Sequence, residues 1–477
     1  MSNNAAFYLI TDSHLVSKNN WVEAKPISFK ERGDQIALKA TPEILDSFLD
    51  IIIADSQTDT VLFLGDNVNN GDMNSHADFK KRLARLTEAG KKVYVTYATH
   101  DYCGMGDDEN FFEAVRFTES DTEPIEHMPK DRLFDFYYEY GPAQAKSVHR
   151  ESGSYSVMLS DKVKLIAIID NGNGRSFCGL SDSGVQWLES EIKSANKSDE
   201  SVLLAVHHPV LPPWEIYRHA ADFEMYGGYR RLYEIMCENS VKVVFTGHTH
   251  VQSIKRYEDE NGRDFLDIAT VALVNAAGKM RRVEIDGDSR LCRVSSIGID
   301  KIKGIDTELS AYEYLYYLNF PGIWEKLIPL AVEDYDEFLK LAEGYLDETK
   351  LKKHKRLVRF AFKKARTLKL STAAKLGGAW KKLDADEKKK AKNGKVIDCA
   401  FEIMRHIFTG NAPFTPDTAE YKILSSLVCK GEKLVRLFNI KKVIKYIPDG
   451  SSLKEIADEF LYNNRTGDDD SITFCLK

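Results

Sequence analysis

The chain has no cysteine framework. Its seven cysteines, Cys103, Cys178, Cys237, Cys292, Cys399, Cys429 and Cys475, are odd in number, scattered and never in a C-x-x-C spacing. That argues against a disulfide-stapled scaffold and a zinc knuckle, and it fits a reducing compartment, so a cytoplasmic location is expected. The sequence also lacks any apolar run near the ~20 residues that a membrane-spanning helix needs. Met1–Ala6 carries no basic residue, and Phe7–Ile10 is too short for a signal peptide's apolar core, so export is not expected. There is no internal repeat or low-complexity linker. Nor is there a large excess of one charge: 66 Lys plus Arg stand against 73 Asp plus Glu, and a net charge of −7 alone predicts no nucleic-acid or membrane partner.

What the chain does have is a change of texture near residue 300. Its 477 residues give room for two or three domains, and 43% hydrophobic with 29% charged residues suits a protein with a sizeable core. Residues 1–300 hold 33 basic and 47 acidic side chains, whereas 301–477 hold 33 basic and 26 acidic ones. In the first part, short β-rich runs at Ala6–Ile10, Val61–Leu64, Val93–Thr96, Lys164–Ile169, Val202–Val206 and Val241–Phe245 alternate with helix-like stretches such as Pro42–Asp55, Ser75–Ala89, Asp182–Ala195 and Tyr229–Glu238. That is the order of an α/β fold. Runs at Ser154–Leu159, Phe265–Val274, Arg281–Ile285 and Cys292–Ile297 come without long helices between them, which predicts a partly antiparallel second sheet and a layered sandwich.

Beyond Gly304, helical spacing prevails, so 1–303 reads as one domain and 304–477 as an all-α one. Within the latter, Lys350–Lys395 carries 18 basic residues against three acidic ones. Such a segment can grip an anionic substrate, dock on an acidic membrane surface or nucleic acid, or face the net-acidic first domain, and the last needs no third party. The stretch Asn463–Asp470 reads as turns, with Asp468–Asp470 solvated.

Five clusters close the β-rich runs. Asp12-Ser13-His14 follows the first, Gly65-Asp66-Asn67 the second, Ala98-Thr99-His100-Asp101 the third, His207-His208-Pro209 the fifth and Gly247-His248-Thr249-His250 the sixth. Carboxyl ends of strands are where the loops of an open α/β sheet converge on a site. Six of the twelve histidines lie in these turns. A random chain of this composition would contain Gly-His-x-His only about 0.02 times, so unrelated caps and core histidines account poorly for the set. Imidazoles and carboxylates without thiolates suit Mn, Fe or Zn in a reactive site rather than Ca or structural zinc.

In this order the clusters resemble the calcineurin-like metallophosphoesterase superfamily, whose blocks run D-x-H, G-D, G-N-H-[DE], H-H-P or H-x-P, and G-H-x-H. The resemblance covers residues 6 to about 300. It implies a four-layer α/β sandwich, two mixed sheets flanked by helices, with two divalent or trivalent metal ions (Mn, Fe or Zn) at one edge. Carried over by position, Asp12, His14 and His250 bind the first ion, Asp66 bridges both, and His207 and His248 bind the second. His100 becomes the catalytic histidine, with Asp101 orienting its ring. The implied reaction is in-line attack of a metal-bridging hydroxide on phosphorus. The compact spacing looks most like the class III cyclic-nucleotide phosphodiesterases, some of which carry an added C-terminal helical domain, so a small phosphodiester such as cyclic AMP is the expected substrate. A phosphomonoesterase, a phospholipid head-group hydrolase and a non-catalytic metal-dependent binding or regulatory module are the alternatives.

One block departs from the pattern. Thr99 stands where the family has the asparagine whose carbonyl reaches the second ion. A neutral hydroxyl is a poorer ligand than an amide oxygen, so a weaker second site is expected. His208, Asn67, Asn69 and Asn70 are candidates for phosphate contact, set against packing for the histidine and turn formation for the asparagines. Trp214, Tyr217, Tyr226 and Tyr229 could stack a base or pack a lid, and the insertion Leu15–Thr41 could wall the site.

Overall fold

The strands β1 (Ala5–Ile10), β2 (Thr60–Leu64) and β3 (Lys92–Thr96) are apolar almost throughout and buried on both faces, as parallel strands covered from both sides must be. They pair in parallel, with helices Thr41–Ala54 and Met73–Glu88 as the crossovers. This computed structural model describes all residues except 1–2, 103–112, 171–177, 215–216, 218–223, 344–345, 407, 438–451 and 463–466. Of the features read from the sequence, Cys103 and the start of the Asn463–Asp470 stretch lie outside the described residues.

A small hairpin, β4 (Val115–Phe117) and β5 (Thr122–Pro124), precedes the second sheet. That sheet contains β6 (Ser147–His149), β7 (Ser154–Met158), β8 (Val163–Ile168), β9 (Ser201–Val206), β10 (Val243–Thr246), β11 (Ser253–Glu258) and β12 (Asp264–Ala269), in the spatial order β11-β12-β10-β9-β8-β7-β6. The chain then returns to the first sheet as β13 (Lys279–Asp286), antiparallel to β1, and β14 (Leu291–Gly298). After the helical region, β15 (Ser471–Cys475) adds the edge, giving β15-β14-β13-β1-β2-β3.

Period-two alternation sorts the layers. Phe7, Leu9, Leu62 and Leu64 point to the inner face and meet Leu165, Leu203, Val243 and Phe245 of the second sheet. Across that seam the Phe7 and Phe245 rings meet edge to face, 5.7 Å apart. Tyr8, Ile10, Val61 and Phe63 face outward onto Ile44, Phe48, Phe79 and Leu83 of the two crossover helices. On the far side, Ile166, Ile168, Leu204 and Val206 pack on Leu188 and Ile192 of helix Asp182–Lys197 and on Leu232 and Met236 of helix Tyr229–Glu238. The result is the expected helix-sheet-sheet-helix sandwich. Carboxyl ends of β1, β2, β3, β9 and β10 all carry the histidine and aspartate clusters.

The insertion Leu15–Thr41 packs into the outer core through Leu15, Val16, Ile27 and Leu38. The second region is helical over most of its described length, from Ala311–Leu318 to Leu453–Leu461, with its own cores around Leu327, Tyr335 and Phe338 and around Leu370, Ala374, Cys399 and Ile423. Among the described residues, no helix is long and apolar enough to cross a membrane.

Two expectations are corrected at the end of this region. It is not all-α to residue 477, because Ser471–Cys475 is the edge strand of the first sheet. Nor is the Asp468–Asp470 triplet a solvated turn. Asp469 is buried, its Oδ1 accepting the Ile254 N–H and its Oδ2 the Asn411 N–H, both at 2.8 Å. Asp470 takes Lys279 Nζ at 2.7 and 2.8 Å. The fully buried Arg281 guanidinium donates to the Asp469 carbonyl at 2.7 Å and to the Ala269 carbonyl at 3.0 Å. A run of like charges looks solvated in sequence because the cations that neutralise it come from β13. Replacing Asp469 by Ala strands the buried Ile254 N–H and the half-buried Asn411 N–H. The Asp469→Ala protein is expected to lose about 2–4 kcal/mol of stability, read as a lower urea midpoint.

Candidate metal centre

The clusters leave their strands through left-handed kinks. Asp12 (φ 51°), His14 (φ 40°), Asp66 (φ 47°), His248 (φ 65°) and His250 (φ 56°) all have positive φ. That conformation costs a non-glycine residue about 1–2 kcal/mol and collects at functional sites. Backbone hydrogen bonds lace the loops together, from Asp12 N–H to the Gly65 carbonyl at 3.1 Å, His14 N–H to the Asp66 carbonyl at 3.0 Å and Gly247 N–H to the His207 carbonyl at 2.9 Å. Two glycines permit this approach. A Cβ on Gly65 would lie 2.7 Å from His207 Nδ1, and one on Gly247 would lie 2.1 Å from Thr11 Oγ1 and 2.6 Å from Asp12 Oδ2.

Each carboxylate has one anchored oxygen and one turned to the histidines. Asp12 Oδ2 accepts the Thr11 hydroxyl at 2.5 Å and the His248 N–H at 3.0 Å. Its Oδ1 has no hydrogen bond and faces Nε2 of His250, His207 and His14 at 3.4, 3.7 and 3.9 Å. Asp66 Oδ1 accepts the His100 N–H at 3.0 Å, and its Oδ2 stands 3.0 Å from His207 Nε2. His207 donates Nδ1–H to the Leu64 carbonyl at 2.8 Å, which leaves the Nε2 lone pair for the centre. Two ligand triads result, Asp12–His14–His250 and Asp66–His207–His248, each with its donor atoms within 4.8 Å of one another. Asp12, His14, Asp66 and His207 form the buried floor, while His100, His248 and His250 are partly exposed at the rim.

Among the described residues no lysine or arginine pairs with Asp12 or Asp66, whose recorded ionic contacts are all to histidines. Burial works against a charged His207, yet Asp66 and Asp12 prevail and push it up to about 10. Burial likewise disfavours the two carboxylates, but His207, with His250 for Asp12 and His100 for Asp66, holds both below the usual carboxylate range. His14 is driven well below its ordinary value by burial, then by His100 and His250. The carboxylates and His207 thus favour one another's charged forms.

Several proposed contacts fall elsewhere. Asp101 does not serve as an orienting group for His100 in this geometry. Its Oδ1 accepts the Asn67 and Val68 N–H groups at 2.9 and 3.1 Å and its Oδ2 the Ala98 N–H at 2.9 Å, so it builds the turn. His100 Nδ1 instead meets Asn70 Oδ1 at 3.0 Å. Asn67 is consumed by the Thr96 carbonyl at 2.7 Å and by Asp101. His208 is buried, with its N–H and Nδ1 both on Asp170 Oδ2 at 3.1 and 3.0 Å and its ring 4.2 Å from that of His248. Asn67 is thus not placed as a phosphate contact, and His208 has its Nδ1 committed to Asp170. Asn69 and Thr99 are buried, Thr99 opening the short turn that holds His100. Tyr226 and Tyr229 pack in the outer core of the second sheet, and Trp214 is buried.

Sequence reasoning missed four supporting residues. Thr11 and Asp170 stand beside the recognised blocks, and Asp170 ends the fourth β-rich run as Asp12 ends the first. Asp267 accepts the Val210 and Leu211 N–H groups at 2.7 Å and the Thr246 hydroxyl at 2.6 Å, fixing the loop after His207-His208; burial pushes it up to about 6. Glu224, whose carboxylate lies 3.3 Å from His248 Nε2, carries no signal in sequence.

A family model described as calcineurin-like phosphoesterase matches residues 6–252, just over half of the chain and all five clusters. The chain belongs to the calcineurin-like phosphoesterase family. It is similar to a dimetal phosphatase from Danio rerio, with 12% identity over 62% of this chain and 96% of that one and a TM-score of 0.44. For a purple acid phosphatase from yellow lupin seeds the values are 12%, 62% and 52%, with a TM-score of 0.38. For an NAD nucleotidase of Haemophilus influenzae they are 12%, 59% and 47%, with a TM-score of 0.30. No curated protein matches the chain in sequence.

Calcineurin-like phosphoesterases are dimetal enzymes that hydrolyse phosphoric esters, and the residues here fit such a centre. Asp12 Oδ1, His207 Nε2 and His248 Nε2 are buried without a hydrogen-bond partner. A buried polar atom left so costs about 1–3 kcal/mol, and a cation between the triads would relieve several at once. Because a methyl on Gly247 would strike Thr11 and Asp12, the Gly247→Ala protein is expected to fold with reduced metal content, measured by elemental analysis after reconstitution with Mn²⁺.

Proposed function

We propose that this calcineurin-like phosphoesterase hydrolyses a small phosphodiester at a centre of two metal ions. Asp12, His14 and His250 would hold one ion, and Asp66, His207 and His248 the other. The observation that carries this reading is the pair of ligand triads meeting at Asp12 and Asp66, with unpartnered lone pairs on the buried floor. Two such ions supply Lewis-acid clamping of phosphate oxygens and a water acidified to near neutral pH.

The chain's own residues do the rest. Asp12 Oδ2 and His207 Nδ1 are anchored to Thr11 and Leu64, so the ligand atoms stay aimed without reorganisation. His100 sits on the rim with Nδ1 donating to Asn70 Oδ1, which fixes the ring and puts its other nitrogen to work on the phosphate or the leaving oxygen. Asn70 is thereby a positioning residue. A binding module would need no such histidine, which favours the enzyme over the regulatory alternative. The resemblance to class III enzymes makes a cyclic nucleotide the first diester to try.

Turnover of bis(p-nitrophenyl) phosphate should exceed that of p-nitrophenyl phosphate after loading with Mn²⁺ and vanish in EDTA; a monoester preference would sink the diesterase reading. His100→Ala is expected to lower turnover by roughly 10²–10⁴ while metal content stays at the wild-type level, and unchanged turnover would point to a binding module. With Thr99 in place of an amide ligand, dialysis should strip one ion per chain before the other. Two ions surviving extended dialysis would contradict that.

A further inference from the structure

Among the described residues, the basic segment makes no ion pair with the acidic first domain. Its recorded ion pairs, Lys350–Asp347, Lys352–Glu348, Lys355–Asp336, Arg366–Glu333 and Lys390–Glu420, stay within the helical region. Among the described residues, Arg356, Lys363, Lys381, Lys382, Lys388 and Lys389 pair with no carboxylate. The opposite-charge account of this segment therefore finds no support, and most of the segment's charge is presented to solvent.

The same segment shows the most exposed large apolar side chains among the described residues. Leu357 is 66%, Phe360 58% and Leu376 55% exposed, against 46% for the next, Val22 and Tyr138. Helix Lys355–Thr367, about 20 Å long, has no buried residue. Its inner face is held by Val358 and Phe362, the latter ring 6.3 Å from Trp324 and 5.9 Å from Phe338. Leu357 and Phe360, three apart, share the outer face, with Lys364 Nζ 5.5 Å from the Phe360 ring. Arg356 and Lys363 flank them. An outer stripe of Leu and Phe bordered by cations is the pattern of a helix that lies in a membrane interface.

We propose that helix Lys355–Thr367 docks the protein on anionic phospholipid bilayers, with Leu357 and Phe360 entering the headgroup boundary and the surrounding lysines and arginines drawn to the lipid charge. Two other occupants fit less well. Nucleic-acid phosphates would take the cations but give Leu357 and Phe360 no apolar partner. The core of a protein interface is depleted of lysine, whereas this segment carries fifteen lysines. The proposal is independent of the esterase reading, since it uses none of the metal-centre residues.

The test is co-sedimentation of the full chain with phosphatidylcholine vesicles, with and without about 30% phosphatidylserine, at about 50 and about 500 mM salt. Binding is expected only to the anionic vesicles, weakened at high salt. Leu357→Ser with Phe360→Ser, at unchanged charge, should weaken partitioning roughly 10- to 100-fold. Arg356→Gln with Lys363→Gln should weaken it about 25-fold. All four positions are exposed, so the circular dichroism spectrum and bis(p-nitrophenyl) phosphate turnover should match wild type. No binding to anionic vesicles at low salt overturns the proposal. So does binding that ignores the Leu357 and Phe360 changes while a DNA or RNA duplex competes for it. A dimer in solution that dissociates when those two residues are changed also overturns it, by showing the stripe to be a contact between copies.

Discussion

Two carboxylates, Asp12 and Asp66, are buried in this fold and, among the described residues, have no lysine or arginine to pair with. An isolated buried charge of that kind is expensive, and the protein surrounds it with imidazoles rather than with fixed cations. Imidazole can hold a proton or give up its lone pair, so the pocket stays neutral enough to fold and still offers its lone pairs to a metal. Much else follows from serving these two groups. The left-handed turns put Asp12, His14, Asp66, His248 and His250 side by side, and Gly65 and Gly247 let the loops close to that distance. The apolar seam between the sheets, from Phe7 to Phe245, holds the strand ends rigid enough to carry the strain.

The support behind the ligands is as specific as the ligands. Thr11, Leu64 and the His248 amide each occupy the atom of a ligand that must not face the centre. Asp101 and Asp267 do comparable work on the backbone, collecting N–H groups of the loops that carry His100 and His207. The Asp101 carboxylate looks catalytic in its motif, yet both act as loop staples in space.

The fold and the gathering of Asp12, His14, Asp66, His207, His248 and His250 were legible because both rest on local patterns. Buried parallel strands announce themselves as short apolar runs, and a site at their carboxyl ends needs residues at fixed offsets. What was illegible depends on partners distant in sequence. Nothing near Asp469 reveals Arg281 or Ile254, so a structural carboxylate read as a solvated one. His208 stayed open between substrate contact and packing because Asp170, which holds its Nδ1, lies 38 positions away. β15 did leave a signal, Ile472 and Phe474 alternating with Ser471, Thr473 and Cys475, but it was overshadowed by the helical texture before it. Glu224 left none, since a single glutamate in a loop has no pattern.

The last strand also changes what the helical region is. Because β15 pairs with β14, residues 299–470 are inserted between two neighbouring strands of one sheet rather than appended to a finished domain. During synthesis, the sheet that begins at β1 keeps an open edge until the helices have been made and Ser471–Cys475 has emerged. Until then Cys292 and Val294 lack the cover of Ile472 and Phe474, and Arg281 lacks the Asp469 and Asp470 carbonyls. The polarity of ribosomal synthesis thus places the helices ahead of final closure, and a nascent chain stalled within them would present an unpaired β14 to other strands.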